Sequence, residues 1–393
     1  MLTCFTGIHM VSKAHFHFPR ELKKYSEHVL PTLSDWESTW SAWDQVTRHM
    51  IPEDQLMSSP IDLRNPCIFY LGHIPTFLDI HLSRASNSAY TEPNYYTVIF
   101  ERGIDPDVDD PTQCHVHSEI PQEWPTLKEI TDYQRRVRDR VKALYSDNVA
   151  GNKEAITKAI CIGFEHELMH LETLLYMLIQ SEKMRSPSGH VRPDFESAAK
   201  SADHKSIENE WFEVPETVLV VGRDCYQPSE KCKLFGWDIE FPRRNVRTKK
   251  FLAKGRPITV RDYISFLTET GGSQLPASWC QARAAVNGAT ESSSANVAER
   301  TNGVTNGIAS GASTLDHYVQ NKAVKTVWGN IPLLYALHWP VMASYDELSA
   351  CARWMGGRIP TQEEVYSIYA LVENRKIENP QKALGRMIPA VNA

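Results

Sequence analysis

The chain has 393 residues, 42% of them hydrophobic and 23% charged, with a formal net charge of −6. That length suits two or three domains with a sizeable core, and the absence of a basic excess argues against nucleic-acid binding. No run reaches the roughly 18 apolar residues needed to cross a bilayer, and no secretory leader is recognisable. The eight cysteines are scattered without a CxxC pair, as in a reducing compartment. These features point to a cytoplasmic protein whose partners are small molecules rather than nucleic acid or membrane.

Residues 1–30 carry few periodic apolar positions and read as an N-terminal arm. Trp36, Trp40 and Trp43 recur at i, i+4 and i+7 behind Asp35, which predicts an amphipathic helix to about Met50. Asn65 and Pro66 read as an N-cap and first helical residue, opening a second helix to about Arg84. His73 lies within it, two residues before an interior proline, Pro75, that is expected to kink the helix. A loop to about Pro125 follows, and its pair His115 and His117, beside an acidic run, reads as solvated. Thr126 and Glu129 form a capping box for a third helix to about Tyr145. Asn152 reads as the cap of a fourth, an apolar periodic run from about Ala155 to Ile179. Residues 31–183 are therefore expected to form a four-helix bundle.

The fourth helix contains Phe164-Glu165-His166-Glu167-Leu168-Met169-His170-Leu171-Glu172. His166 and His170 are i and i+4, so both imidazoles lie on one face, where two can share a divalent metal. A third ligand must come from elsewhere. Metal sites in bundles are built across facing helices, which makes His73 the natural candidate. The same residues spell His-Glu-x-x-His, the zinc-protease pattern in which Glu167 is the general base. Thr173, Leu174, Leu175 and Tyr176 follow, however, with no further glycine and histidine to complete that site.

Residues 184–209 are polar and read as an interdomain linker. Thr217–Gly222 predicts a strand, and Ile258–Leu267 a strand end entering a short helix stopped by Gly271 and Gly272. Residues 285–313, rich in Ser, Asn, Ala, Gly and Thr, read as a flexible insertion. Trp339-Pro340-Val341, a helix from Ser344 to Met355 and Gly356-Gly357-Arg358-Ile359-Pro360-Thr361 come next, and 379–393 lacks a core pattern.

His166-x-x-x-His170-x-Glu172, with Gly72-His73 on an earlier helix, resembles the iron site of the ergothioneine-biosynthesis sulfoxide synthases. Asn65 to Phe77 and Ile99 to Asp105 are similar to the fungal branch in particular. The resemblance implies a DinB-like four-helix bundle joined to a C-type-lectin-like α+β domain of the formylglycine-generating-enzyme (sulfatase-modifying-factor) type. That second domain is recognisable in Pro257–Tyr263, Gly271-Gly272 and Trp339 through Glu363, and would occupy 210–393. Two departures stand out. The family's fungal members carry a histidine methyltransferase, for which no glycine-rich methyl-donor loop is found here, so methylation would fall to a separate enzyme upstream. The family's catalytic tyrosine lies later in the second domain. No Tyr follows Tyr369, so no catalytic residue is carried over and the domain reads as C-terminally incomplete.

What the resemblance implies is a non-haem Fe(2+) centre held by His73, His166 and His170, with Glu172 as a carboxylate that orients a ligand imidazole. The reaction would couple cysteine to hercynine with O2, giving hercynylcysteine sulfoxide. Trp339 and Trp354 are candidates for cation–π contact with a trimethylammonium group, or are core. The same chemistry on another acceptor, a non-catalytic shortened relative, and a zinc metalloprotease are the alternatives.

Overall fold

The computed structural model describes residues 30–106, 114–116, 119–181, 183–222, 236–282 and 314–378. The arm up to residue 29, the insertion 285–313, the tail 379–393 and His117 lie outside the described residues. The chain divides into two compact units, one made of 9–191 with 220–246, the other of the remaining segments.

The first unit is helical. Helix α1 (Leu33–Asp44) begins at a reciprocal capping box between Thr32 and Asp35 and continues as a π-helical turn, Gln45–Met50. Helix α2 (Cys67–Ser86) starts one residue later than expected: Pro66 is the N-cap, and the helix runs on through Pro75. It ends at Asn87, in the left-handed conformation that suits a C-terminal cap. The following loop holds a short helix, α3 (Tyr96–Ile99), and a ribbon in which β1 (Ile104–Pro106) pairs antiparallel with β2 (Cys114–Val116), setting His115 opposite Asp105. Helix α4 (Leu127–Ser146) carries the capping box of Thr126 and Glu129. Helix α5 (Glu154–Leu178) is capped by Lys153 without a side-chain bond; Asn152 instead donates to the Asn148 carbonyl at 2.6 Å.

Packing between these helices explains their sequences. Trp36 and Trp43 are fully buried, and the Trp36 ring meets Phe164 of α5 edge-on at 5.0 Å. A Cβ on Gly163 would lie 2.4 Å from Leu78 Cδ1, so glycine is what lets α5 close onto α2 at this level. Helices α2 and α4 are joined by the Arg140–Asp79 pair at 2.7 Å. Asp79 is wholly buried and also accepts from the Thr91 amide and hydroxyl at 2.8 and 2.6 Å, which satisfies its charge. Arg138 grips Asp44 with two bonds of 2.9 Å, tying α4 to the end of α1.

The C-terminal region mixes helices with small sheets. The polar stretch expected as a linker contains a ten-residue helix, α6 (Phe195–His204), capped by Asp194. Its Ala and Lys content favours helix, and Asp203 binds His338 at 2.6 Å and Arg261 at 3.2 Å. Ribbons form between β3 (Trp211–Val214) and β6 (Phe251–Lys254), and between β4 (Thr217–Val221) and β5 (Arg244–Thr248). Helix α7 (Val260–Thr270) opens at a Thr259–Asp262 capping box and stops at Gly271, whose φ of 70° suits glycine. A three-stranded antiparallel sheet follows, from β7 (Trp279–Gln281), β8 (Lys322–Thr326) and β9 (Gly329–Pro332), with the short helix α8 (Thr314–Val319) before β8. Helices α9 (Tyr345–Trp354) and α10 (Gln362–Glu378) close the described chain. Val260, Tyr263, Ile264, Leu267, Trp279 and Leu333 make up the heart of the core. Trp339 packs against this core and lies 5.8 Å from Phe195, and Trp354 lies 5.9 Å from Phe266, ring centroid to ring centroid. No helix among the described residues is long and apolar enough to cross a membrane.

Candidate metal centre

Helix α2 presents Phe69, His73, Phe77 and His81, each four residues from the next, as one stripe. Helix α5 presents His166 and His170 in the same way. Where the two helices meet, His73, His166 and His170 each offer a nitrogen, all within 4.8 Å of one another. The ring centroids form a nearly regular triangle, 5.0 Å from His73 to His166, 4.9 Å from His73 to His170 and 4.5 Å between the two on α5. Among the described residues this is the one cluster of three or more such side chains.

The protonation state follows from the surroundings. Nδ1 of His73 lies 2.7 Å from the Phe100 carbonyl, so that nitrogen carries the proton and donates, leaving the Nε2 lone pair free. Phe100 reaches this position because Gly72 has no side chain; a Cβ there would lie 2.4 Å from the phenyl Cζ. Burial lowers His73 to about 4 and His170 to about 3, and holds His166 well below the ordinary histidine range, with its neighbouring imidazoles adding to the effect. All three are therefore neutral at pH 7, the form that ligates metal. The Nδ1 atoms of His166 and His170 are buried without a hydrogen-bond partner. Three neutral imidazoles, each offering one nitrogen within 4.8 Å of the others, fit a divalent cation. Imidazoles suit Fe, Zn, Cu and Ni alike.

Glu172 does not meet its expected role. Two residues past His170 is a turn of about 200° around the helix, and the side chain is exposed. The buried acid is Glu167, at 3% exposure, and its electrostatic neighbours are Trp40, Arg138 and Asp44 on α1 and α4. Burial raises its carboxyl to about 7. His115 lies in strand β2. Sequence reasoning missed the Phe100 carbonyl, which lies 27 residues from His73. It also missed Phe77, although the four-residue alternation of Phe and His along α2 was there to be read.

Residues 35–184 match the DinB superfamily, so the helical region is a domain of that kind. The chain is 46% identical over 391 residues to ergothioneine biosynthesis protein 1 of Neurospora crassa, covering 98% of this chain and 44% of that protein. It is 27% identical over 371 residues to the protein of the same name from Schizosaccharomyces pombe, covering 88% of this chain and 43% of that one. The resemblance to fungal ergothioneine-biosynthesis proteins read from the sequence is borne out, and the chain spans less than half the length of these relatives.

Two outcomes follow from this geometry. In Gly72→Ala, Phe100 must move and take its carbonyl from His73. Co(II) affinity, measured by anaerobic titration, is expected to fall by about tenfold or more, and unchanged affinity would contradict the role given to that carbonyl. The second outcome concerns acid. Unfolded, each imidazole titrates near about 6.5; folded, His73 and His170 do so near 4 and 3. Below about pH 6.5 the unfolded chain thus binds more protons, and stability falls as pH drops. Glu167 acts in the opposite sense, holding in the fold a proton that the unfolded chain loses, but it is one group against three. The metal-free chain should therefore unfold at lower denaturant at about pH 5 than at about pH 7, and equal midpoints would contradict the burial of neutral imidazoles.

Proposed function

We propose that this chain carries the metal-holding part of a ferrous- and O2-dependent enzyme of ergothioneine biosynthesis. In this reading the enzyme joins the sulfur of cysteine to the imidazole ring of hercynine and leaves that sulfur as a sulfoxide. The observation that carries it is the triangle of neutral, buried imidazoles in a chain 46% identical to the Neurospora crassa protein named for ergothioneine biosynthesis. The second unit is read as part of a domain similar to the formylglycine-generating enzymes. The Thr259–Asp262 box, the bridge from Thr259 to Pro340 and the helix leading to Gly356-Gly357 support that assignment.

His73, His166 and His170 would hold the metal through one nitrogen each. Bound ferrous iron would supply the one-electron chemistry toward O2 and a place for the donor sulfur. The protein's own part is to keep three imidazoles unprotonated and aimed at one point. Burial does the first. For His73, the Phe100 carbonyl does the second by fixing the proton on Nδ1. The Phe69 and Phe77 rings, stacked on His73 and His166, set apolar surface against two of the imidazoles. The overall reaction needs no separate reductant. The thiol S–H and the ring C–H each lose hydrogen, one oxygen atom goes to sulfur and the other leaves as water, so the substrates supply all the electrons that O2 accepts.

The zinc-protease reading lacks its base, since Glu167 is engaged with α1 and α4 rather than with the triangle. The test is an anaerobic Fe(II) titration of the chain followed by oxygen uptake with cysteine, with and without hercynine. The expected result is hercynine-dependent uptake, lost in His73→Gln, and a product whose mass is that of both substrates plus one oxygen less two hydrogens. Iron binding without hercynine-dependent uptake would contradict turnover on this chain.

A further inference from the structure

We propose that Phe77 is a positioning residue of the metal centre, fixing the ring of His166 by stacking where a hydrogen bond is absent. The inference rests on the reading of His73, His166 and His170 as ligands. A ligand imidazole is ordinarily held by a hydrogen bond from its other nitrogen to a carbonyl or carboxylate. His73 has that bond, to Phe100. His166 does not: its Nδ1 is buried and unpartnered.

What His166 has instead is the phenyl ring of Phe77, 3.6 Å away between centroids and only 13° from parallel. The two rings are brought together by the same close approach that Gly163 permits, since Leu78 over Gly163 is the neighbour of Phe77, and His166 lies one turn along from Gly163. Phe77 is itself hemmed in from the next turn of α2, where the His81 ring lies 4.4 Å from it. A flat ring against the imidazole resists the rotation that would swing its ligand nitrogen off the centre. A phenyl ring also brings no donor or acceptor to compete for that lone pair. The stack therefore restrains the ring orientation of His166, as the hydrogen bond to the Phe100 carbonyl restrains that of His73.

The test uses the full chain and Co(II) as the probe. Phe77→Leu removes the stack and keeps an apolar side chain at a half-buried position. The expected result is Co(II) binding weakened by about 10- to 100-fold, with altered ligand-field absorption of the ion still bound. Phe77→Tyr should restore both, and metal-free thermal unfolding should be alike in the two variants. On the unsubstituted, metal-free chain, the His166 ring protons should show the upfield ring-current shift of a stacked phenyl. That measurement decides the matter should Phe77→Leu fail to fold. Wild-type affinity and spectrum in Phe77→Leu, or His166 ring protons at ordinary positions, would overturn the role of Phe77 alone. A wild-type chain that takes up no Co(II) would overturn the ligand reading and this inference with it.

Discussion

The close contact of α2 and α5 is the constraint on which the site depends, because it brings three uncharged imidazoles together where little solvent reaches them. It exists where Gly163 leaves room for Leu78, and a second glycine, Gly72, leaves room on the same helix for Phe100. Gly163 lets α5 close onto α2, and Gly72, on α2, lets Phe100 reach His73. Two charge pairs of the unit, Arg140–Asp79 and Arg138–Asp44, hold α4 to α2 and to α1. Fully paired charges can be buried as fasteners, whereas a charge beside the imidazoles would shift their protonation.

Burial of these nitrogens makes sense only if something repays it. A core histidine that serves packing alone is usually satisfied by a neighbour, and two of the three here are not. Strain of this sort, concentrated where local rules are broken, is what a functional site looks like from the side of stability. Glu167 is a second such group, a carboxyl with an unpartnered oxygen one residue from His166, about 100° around α5 from it and neighboured by Trp40, Arg138 and Asp44.

Much of this was legible in the sequence because it is local. Thr126 with Glu129 starts α4, and the four-residue spacing of His166 and His170 declares a shared face. Gly271, at a positive φ, ends α7 as expected. His73 was reached only through the geometry of bundles and the resemblance around Gly72-His73. What was not legible depends on tertiary contact. Nothing in the loop sequence announces that Phe100 will turn its carbonyl to His73, and a polar run such as 184–209 hides α6 until its partners Arg261 and His338 are in place. Glu172 misled because it belongs to a motif, while its helical angle sends it to solvent.

The central claim is that the three histidines together hold one metal ion. X-ray absorption on the anaerobic Fe(II)-loaded chain tests it most directly, since imidazole ligands leave a multiple-scattering signature that can be counted. The account predicts three imidazoles per iron, falling to two in His73→Gln. Iron surrounded by oxygen ligands alone, or a count unchanged by that substitution, would contradict it.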